Sequence, residues 1–445
     1  MTTDSSARQL GFWTALALVV GNIIGAGIFL LPSSLAPLGQ NAIYGWLLTI
    51  AGCLCIAWVF AQLSAGIAGG PYAYVREAGG ETAAFAVMWS YWVSIWTAIP
   101  ALAIAGISAL SSVLPALGQP LVAPVAAIAA IWLFTLVNMR GARSAGDVQL
   151  VTTVLKILPL VAVILLAAIL FGRGDAAARL APLPVSPGSI AEAATLAVFA
   201  MVGLEAATLP VGKIRNPGRT VPLATLGGTA LAGLLYLAAV AAILFLLPAA
   251  QAAASPAPFA DAIAPALGPW AGKAMALFVA ISALGCLNGW VLCSGEVPLA
   301  LARDGVFPAW FARTTAIGTP VRGQIASSLI ASLLVASNAS RSLSGLFTFI
   351  VLISTVATLV LYAACAGSAL VLLARERLRG AATGLVALFG LLFSLWAFWG
   401  AGAEASLWGL ALVATGIPVY FVMRWRAGSS RPAEAGPAAP PGSAA

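Results

Sequence analysis

Three ionisable side chains lie inside long apolar stretches of the sequence: Glu205, Lys156 and Glu296. Such groups are costly in a bilayer and usually mark function. Glu205 is interpreted either as a proton-responsive or gating group or as a carboxyl group that only hydrogen-bonds to a neighbouring helix. Lys156 follows Asp147 by nine residues, so it lies about 13 Å into a helix, even if its long side chain snorkels partway. We expect Glu296 to pair with basic groups at one end of its helix.

The first apolar stretch contains three glycines in seven residues, Gly21, Gly25 and Gly27. Each glycine inside a helix costs about 1 kcal/mol relative to alanine. The spacing of Gly21 and Gly25 fits close packing through a Gly-x-x-x-Gly face. The alternative is an unwound segment, which a membrane tolerates only where the freed backbone groups line a cavity. Its N–H groups would suit a carboxylate and its carbonyls an ammonium group. This stretch alone leaves both interpretations open.

A second interrupted stretch favours the unwound segment. In residues 199–207, Gly203 lies mid-span and Glu205 follows two residues later. Proteins built from inverted repeats place their site between two discontinuous helices at corresponding positions of the two halves. Helices one and six correspond if the repeat has five helices. We therefore expect a site between them, with Lys156 as a fixed positive charge that bridges the broken helix one and helix eight. Trp290 and Phe199 either pack or face a ligand.

The elements that position these groups follow from composition. Only 8% of the 445 residues are charged and 62% are hydrophobic, too few charges for the surface of a water-soluble fold. The sequence predicts an all-α polytopic membrane protein, because its apolar stretches are too long and too uniform for a β-barrel. Twelve spanning helices are predicted, at residues 11–37, 41–66, 83–114, 121–139, 148–171, 190–212, 223–248, 270–303, 322–338, 343–373, 381–400 and 405–423.

The loops between these helices differ in basic residues. Of the 21 Lys and Arg residues, 16 fall on one side and 4 on the other, with Lys156 inside a span. The positive-inside rule therefore predicts that both termini are cytoplasmic. We divide the chain into a cytoplasmic N-terminus (1–10), a ten-helix inverted-repeat transport core (11–373), two additional C-terminal helices (374–423) and a disordered cytoplasmic tail rich in Pro, Ala, Gly and Ser (424–445).

Four motifs, taken together, resemble those of the amino acid–polyamine–organocation transporters. They are GNIIGAGIF at 21–29, GGPYAY at 69–74, KIRNPGRTVP at 213–222 and ARDGVFP at 302–308. The resemblance covers about residues 10 to 425 and is closest to the group of arginine/agmatine and basic amino acid–polyamine antiporters. It implies a twelve-helix fold with a five-plus-five inverted repeat, broken helices one and six, and alternating access.

The resemblance also implies which residues bind substrate. The substrate carboxylate would meet the backbone of Ile24, Gly25, Ala26 and Gly27, with Asn22 beside them. The α-amino group would meet carbonyls around Ile23 and from Phe199 to Val202. Trp290 matches an aromatic residue that stacks on the substrate side chain, and Ser354 matches the distal end of the pocket. Glu205 and Tyr91 match gating positions.

The sequence departs from that antiporter group at several pocket positions. An aromatic lid that is Trp in the arginine antiporter is Phe199 here, a helix-one Ser is Ala26, and a helix-three Asn is Ile99, beside Ile95 and Leu102. The predicted pocket has lost hydrogen-bonding groups that a guanidinium would use. Lys156 resembles a helix-five lysine that replaces sodium in related transporters, so we expect no sodium requirement.

These observations predict an amino-acid transporter of the inner membrane, either an exchanger or proton-coupled, which favours neutral or aliphatic amino acids. The alternatives are an arginine/agmatine-type antiporter and an amino-acid sensor with a transporter fold. An intramembrane enzyme is not expected, because the chain has no His and no mid-span pair of Asp. No metal or other cofactor is expected, and the partners are an amino acid or amine substrate and membrane lipid, not nucleic acid. The sequence leaves open whether the protein forms a homodimer.

Overall fold

The computed structural model describes residues 11–67, 69–140, 142–174, 180, 182–204, 216–316, 318–378 and 380–429, and within them all side chains except those of residues 14, 18, 22, 26, 142–154, 217 and 426–429. Over these ranges the chain is helical and forms no strand. The long helices are α1 (Phe12–Ile23), α2 (Gln40–Gly66), α3 (Gly70–Ser111), α4 (Val122–Met139), α5 (Ala142–Gly172), α6 (Pro187–Met201), α7 (Pro217–Leu246), α8 (Pro269–Arg303), α9 (Val321–Ser337), α10 (Leu343–Ala374), α11 (Ala381–Gly400), α12 (Gly402–Ala414) and α13 (Gly416–Ser429). The shorter helical segments are Ala26–Phe29, Leu31–Leu35, Ala36–Leu38, Pro115–Gly118, Ala249–Ala254, Pro258–Leu267 and Ala309–Ala312.

The helices confirm the prediction of an all-α polytopic membrane protein. Within the described ranges, nine helices are long and apolar enough to cross a membrane, with α12 and α13 counted together. Two shorter apolar helices, α6 and α9, and the interrupted α1 lie at the remaining predicted positions. The count of twelve spans and the inverted repeat remain predictions.

Several predicted boundaries differ from the structure by six or more residues, and two of them change how the chain is divided. Helix α3 begins at Gly70 rather than at 83, because its first two turns continue through a kink at Gly80, whose φ of 83° suits glycine. At the other end, α13 continues to Ser429, so residues 424–429 are helical and not part of a disordered tail. The predicted N-terminal segment, residues 1–10, and residues 430–445 lie outside the described part of the chain.

Helix α3 lies at the centre of the bundle. In its most apolar 18-residue window, 94% of the residues are buried inside the protein, compared with 11% for the window in α12 and α13. Helices α8 and α10 pack along α3, and α8 also packs on α5. A helix that is buried all round can carry a site, whereas the exposed apolar residues of α12 and α13 suit contact with lipid.

Close packing brings the interrupted helices into the bundle. A Cβ atom on Gly45 of α2 would lie 2.5 Å from the Cβ of Ala193 in α6. A Cβ atom on Gly228 of α7 would lie 2.6 Å from a methyl group of Val19 in α1. Glycine therefore permits the backbones of these helix pairs to approach, which is the usual basis of helix association in membranes.

The ends of the helices define two opposite faces of the bundle. On one face, Glu77 forms an ion pair with Arg377 and its carbonyl accepts a hydrogen bond from Arg375. On the other face, the end of α3 contacts the loop after α7, where the Ser108 hydroxyl donates to the carbonyl of Pro256 at 2.7 Å. The positive-inside rule predicts that the first face is cytoplasmic and the second is outside, and this orientation stays a prediction.

Candidate functional site

The first break interrupts the chain directly after α1. The helix ends at Ile23, Ile24 leaves helical geometry with ψ of 88°, and Gly25 is extended with φ of −114° and ψ of 178°. The chain then turns through the short 3₁₀ segment Ala26–Phe29. Of the two interpretations left open by the sequence, the unwound segment is the one observed.

The second break follows α6. Ser186 caps the start of this helix, where its hydroxyl accepts from the N–H of Ser189. The helix ends at Met201, Val202 is extended with ψ of 136°, and Gly203 has φ of 109°, a conformation that favours glycine. The predicted gating residue Glu205 lies outside the described residues.

Both breaks line one small cavity near the middle of the bundle. Its walls come from α1, α3, α6, α8, α10 and the first break, at Ile23, Gly25, Gly27, Ser94, Ala98, Leu102, Phe199, Ala200, Val202, Trp290 and Ser354. We call this space the central cavity. Its volume of about 20 Å³ is close to the space that a single water occupies, so a larger ligand requires the walls to move apart.

Eight of the predicted binding residues line the central cavity: Ile23, Gly25, Gly27, Leu102, Phe199, Val202, Trp290 and Ser354. Ile24 is buried beside them, and its carbonyl is 3.9 Å from the thiol of Cys286. Asn22 and Ala26 belong to the last turn of α1 and to the 3₁₀ segment, but their side chains are outside the described set.

Three other predicted residues lie away from the cavity walls. Ile95 and Ile99 are fully buried in α3 but do not line the cavity, where Ser94 and Ala98 take the corresponding places. Tyr91 lies one turn before Ser94 on the same helix, and its carbonyl accepts the Ser94 hydroxyl at 2.7 Å. On α3 the cavity therefore meets Ser94, Ala98 and Leu102, spaced four residues apart, instead of the predicted Ile95, Ile99 and Leu102.

Lys156 lies in α5 and is 1% exposed. Helix α5 packs against α7 and α8, which form the side of the bundle that adjoins α1. This lysine is therefore buried within the protein and does not face lipid or water. Its role as a fixed positive charge stays a prediction.

The polar groups of the central cavity are few and well defined. The Ser354 hydroxyl donates to the carbonyl of Ser94 at 2.9 Å, which joins α10 to α3 at one wall. Phe199 meets Phe347 edge to face, with ring centroids 6.4 Å apart. A Cβ atom on Gly27 would lie 2.6 Å from the Phe199 ring, so this glycine leaves the space that the ring occupies.

Tyr236 of α7 was not predicted and holds the first break. Its hydroxyl accepts the N–H of Gly25 and donates to the carbonyl of Ile23, both at 2.9 Å. The ring is fully buried and lies edge to face on Trp46, with centroids 6.0 Å apart. A phenol in an otherwise apolar span needs a polar partner, which is the signal that could have identified it.

The electrostatics of the cavity favour a cation. Both α1 and α6 end at its wall, and the carbonyls at a helix C-terminus carry a partial negative charge equivalent to about −0.5. Among the described residues that line the cavity, none has an ionisable carboxylate or a basic side chain. The aromatic faces of Trp290 and Phe199 add a second kind of group that attracts cations.

Comparison with known proteins identifies the family of this chain. Residues 10–423 match the family model described as amino acid permease. The cadaverine/lysine antiporter of Escherichia coli strain K12 is 35% identical over 322 residues, which cover 72% of each chain. The putrescine transporter PotE of the same strain is 29% identical over 94% of this chain and 97% of its own length. PotE of Haemophilus influenzae is 29% identical over 95% of this chain and 99% of its own length. The chain belongs to the amino acid permease family within the amino acid–polyamine–organocation superfamily, a family of transporters and not of enzymes.

Proposed function

We propose that the protein exchanges a basic amino acid for a diamine across the inner membrane, with both termini in the cytoplasm. The observation that carries this proposal is the meeting of two helix C-termini, those of α1 and α6, at a cavity whose described lining has no charged side chain. Carbonyl-rich helix ends favour an ammonium group. The printed functions of the relatives, cadaverine/lysine antiport and putrescine transport, support the same substrate class.

The apolar walls of the central cavity suit a diamine or lysine, although the sequence analysis took them to favour neutral amino acids. Ile99 and its neighbours suggested neutral or aliphatic amino acids, but the relatives support the alternative, an amino acid/amine antiporter. A diamine is a methylene chain with a compact ammonium group at each end, and lysine has the same chain and ammonium groups with a carboxylate added at one end. An ammonium has three N–H donors, whereas a guanidinium has five, so it needs fewer partners in the pocket. The methylene chain can lie on Leu102 and Ala98.

Transport requires the central cavity to open, because it now has room for about one water. Phe199 lies between Gly27 and Phe347 and is the largest movable group at that wall beside Trp290. We propose that Phe199 withdraws to admit substrate and returns to close the site. Alternation between openings to the two sides then moves one substrate in each direction.

A binding survey tests the substrate class. Purified protein is heated with lysine, arginine, ornithine, cadaverine, putrescine, agmatine, leucine or valine, and the unfolding temperature is recorded. Ligands stabilise the state that they bind, by about 2.7 kcal/mol at 100 times their Kd. We expect stabilisation by lysine or ornithine and by the corresponding diamine. Stabilisation by leucine and valine alone would contradict the proposal and return the assignment to neutral amino acids.

A further inference from the structure

A second cavity opens on the face that carries the end of α3 and the start of α10. It is lined by the loop from α3 to α4, the segment after Ala254 and residues 340–346. We call it the outer cavity. Its volume is about 500 Å³, compared with about 20 Å³ for the central cavity. Pockets that bind small molecules commonly measure about 300–1,000 Å³, so the outer cavity has room for an amino acid in its present form.

One charged side chain lines the outer cavity among the described residues, and it is Arg341. Hydroxyl groups supply most of the other polar atoms, from Ser111, Ser255, Ser340, Ser342 and Ser344. The rest of the lining consists of glycine, alanine, leucine and proline. A single guanidinium with hydroxyl groups around it is a combination that recognises a carboxylate.

Arg341 is held in place and keeps donors to spare. One terminal nitrogen donates to Glu404 at 2.5 Å, and the guanidinium carbon lies 4.1 Å from the centroid of the Phe349 ring. A guanidinium has five N–H groups, of which this ion pair engages one nitrogen. The pair is exposed, with side-chain exposures of 36% for Arg341 and 61% for Glu404, so a competing carboxylate can reach it.

A second carboxylate, that of Asp261, is bonded to a residue of the outer cavity's lining. Asp261 accepts the hydroxyl of Ser255 at 2.6 Å, and that hydroxyl also accepts the N–H of Ala257. The guanidinium of Arg341 is therefore the cation that the cavity offers to a ligand. The two nearby carboxylates are already bonded, Glu404 to Arg341 and Asp261 to Ser255. This suits a zwitterion whose carboxylate faces Arg341.

A pair of aromatic rings connects residues of the two cavities. Phe347 follows Leu346, which lines the outer cavity, and packs on Phe199, which lines the central cavity. Beside these rings the Ser34 and Thr348 hydroxyls are 2.6 Å apart and join the segment after the first break to α10. Leu346 of the outer cavity and Phe199 of the central cavity are thus linked through Phe347.

We propose that the outer cavity is a separate binding site for the amino acid, which Arg341 recognises by its carboxylate before the central cavity opens. The proposal rests on the proposed exchange of a basic amino acid for a diamine and adds how the two substrates are told apart. A diamine has no carboxylate and gains nothing from Arg341. The outer cavity therefore favours the arrival of the amino acid over the return of the diamine.

Equilibrium binding to the purified full-length protein tests this inference. The affinities of L-lysine and cadaverine are measured by calorimetry for the wild type and for Arg341→Gln. Charge-assisted hydrogen bonds and exposed ion pairs together predict lysine binding that is about three- to tenfold weaker in the variant, with cadaverine binding unchanged. Arg173→Gln is the matched control, because it removes the same charge from an exposed position on the same face outside the outer cavity, and it should change neither affinity.

The variant Glu404→Gln tests whether Arg341 binds the carboxylate of lysine or only forms a structural ion pair with Glu404. Without its carboxylate partner Arg341 is more available, so lysine should bind more tightly to this variant than to the wild type. Equal weakening of lysine binding by Arg341→Gln and Glu404→Gln would overturn the proposal, as would equal losses for lysine and cadaverine in Arg341→Gln. Because these experiments measure binding alone, a failure of exchange in vesicles would contradict the proposed function and leave the Arg341 result intact.

Discussion

Gly27→Ala is predicted to disrupt the closed form of the central cavity. The added Cβ atom would lie 2.6 and 2.7 Å from two carbons of the Phe199 ring. Carbon atoms in normal contact are about 3.5–4.0 Å apart, so the ring must retreat by about 1 Å. Phe199 is only 8% exposed and already packs on Phe347. Overpacking of this kind costs about 1–3 kcal/mol, which corresponds to a change of about 5- to 150-fold in a conformational equilibrium.

Gly25→Ala is the matched control for this prediction. A Cβ atom at Gly25 would lie 3.5 Å from the thiol sulfur of Cys286 and from the carbonyl of Ile23, which are ordinary contacts. The backbone there is extended and any residue can adopt it. We therefore expect Gly25→Ala to be tolerated, and only larger side chains at this position to prevent binding.

Two assays measure the difference between these variants. The unfolding temperature of the purified protein should fall in Gly27→Ala and stay near the wild-type value in Gly25→Ala, and exchange in vesicles should follow the same order. Phe199→Leu combined with Gly27→Ala should restore part of the lost stability, because a smaller side chain removes the overlap. Equal behaviour of the two alanine variants, or no rescue, would refute the argument from packing.

Three further variants test other groups of the site. Tyr236→Phe leaves the N–H of Gly25 and the carbonyl of Ile23 without their hydroxyl partner, at a cost of about 1–3 kcal/mol for each group. The unfolding temperature should therefore fall, and an unchanged temperature would contradict the bridging role. Trp290→Ala should weaken diamine binding about 5- to 30-fold through the lost cation–π contact, whereas Trp290→Phe should keep part of the affinity. Equal affinity of the wild type and both variants would exclude ring stacking. Glu205→Gln should change the dependence of exchange on pH, because the amide cannot take up or release a proton, and an unaltered profile would remove the proposed gating role of this residue.

Much of the fold follows from the sequence because apolar stretches of spanning length have few alternatives in a bilayer. The glycines of residues 21–27 and Gly203 also identify the two breaks, since glycine is costly in an intact helix. The early start of α3 does not follow from the search for apolar stretches, because Glu77 and Glu81 interrupt its first turns beside the kink at Gly80. Burial inside the protein allows those turns to remain helical.

The side-chain arrangement of the site was less predictable. Helix α3 is apolar all round, so its hydrophobic pattern does not fix which face meets the cavity. Successive residues of a helix differ by about 100° in direction, and this explains why Ser94 and Ala98 take the places expected for Ile95 and Ile99. The hydroxyl of Tyr236 reaches its partners across more than 200 positions of sequence, which no local pattern reveals.

The outer cavity could not be predicted for a related reason. It is assembled from the ends of α3, α4 and α10 and from the segment that follows α7, each contributing only a few residues. In the sequence Arg341 is one of four basic residues in loops assigned to the outside, where it serves only as a marker of topology. Its place in the outer cavity, beside Glu404, depends on the packing of distant helices.

Counterflow in reconstituted vesicles is the most direct measurement of the proposed exchange. Vesicles are loaded with cadaverine or putrescine, and the uptake of external labelled lysine is compared with uptake into empty vesicles. One lysine carries one net positive charge inward while one diamine carries two outward. We therefore predict uptake that depends on the internal diamine and is accelerated by an inside-positive potential, at about 2.3 kcal/mol per charge for each 100 mV. Lysine uptake that is indifferent to the internal diamine, or counterflow supported only by leucine or valine, would contradict the assignment.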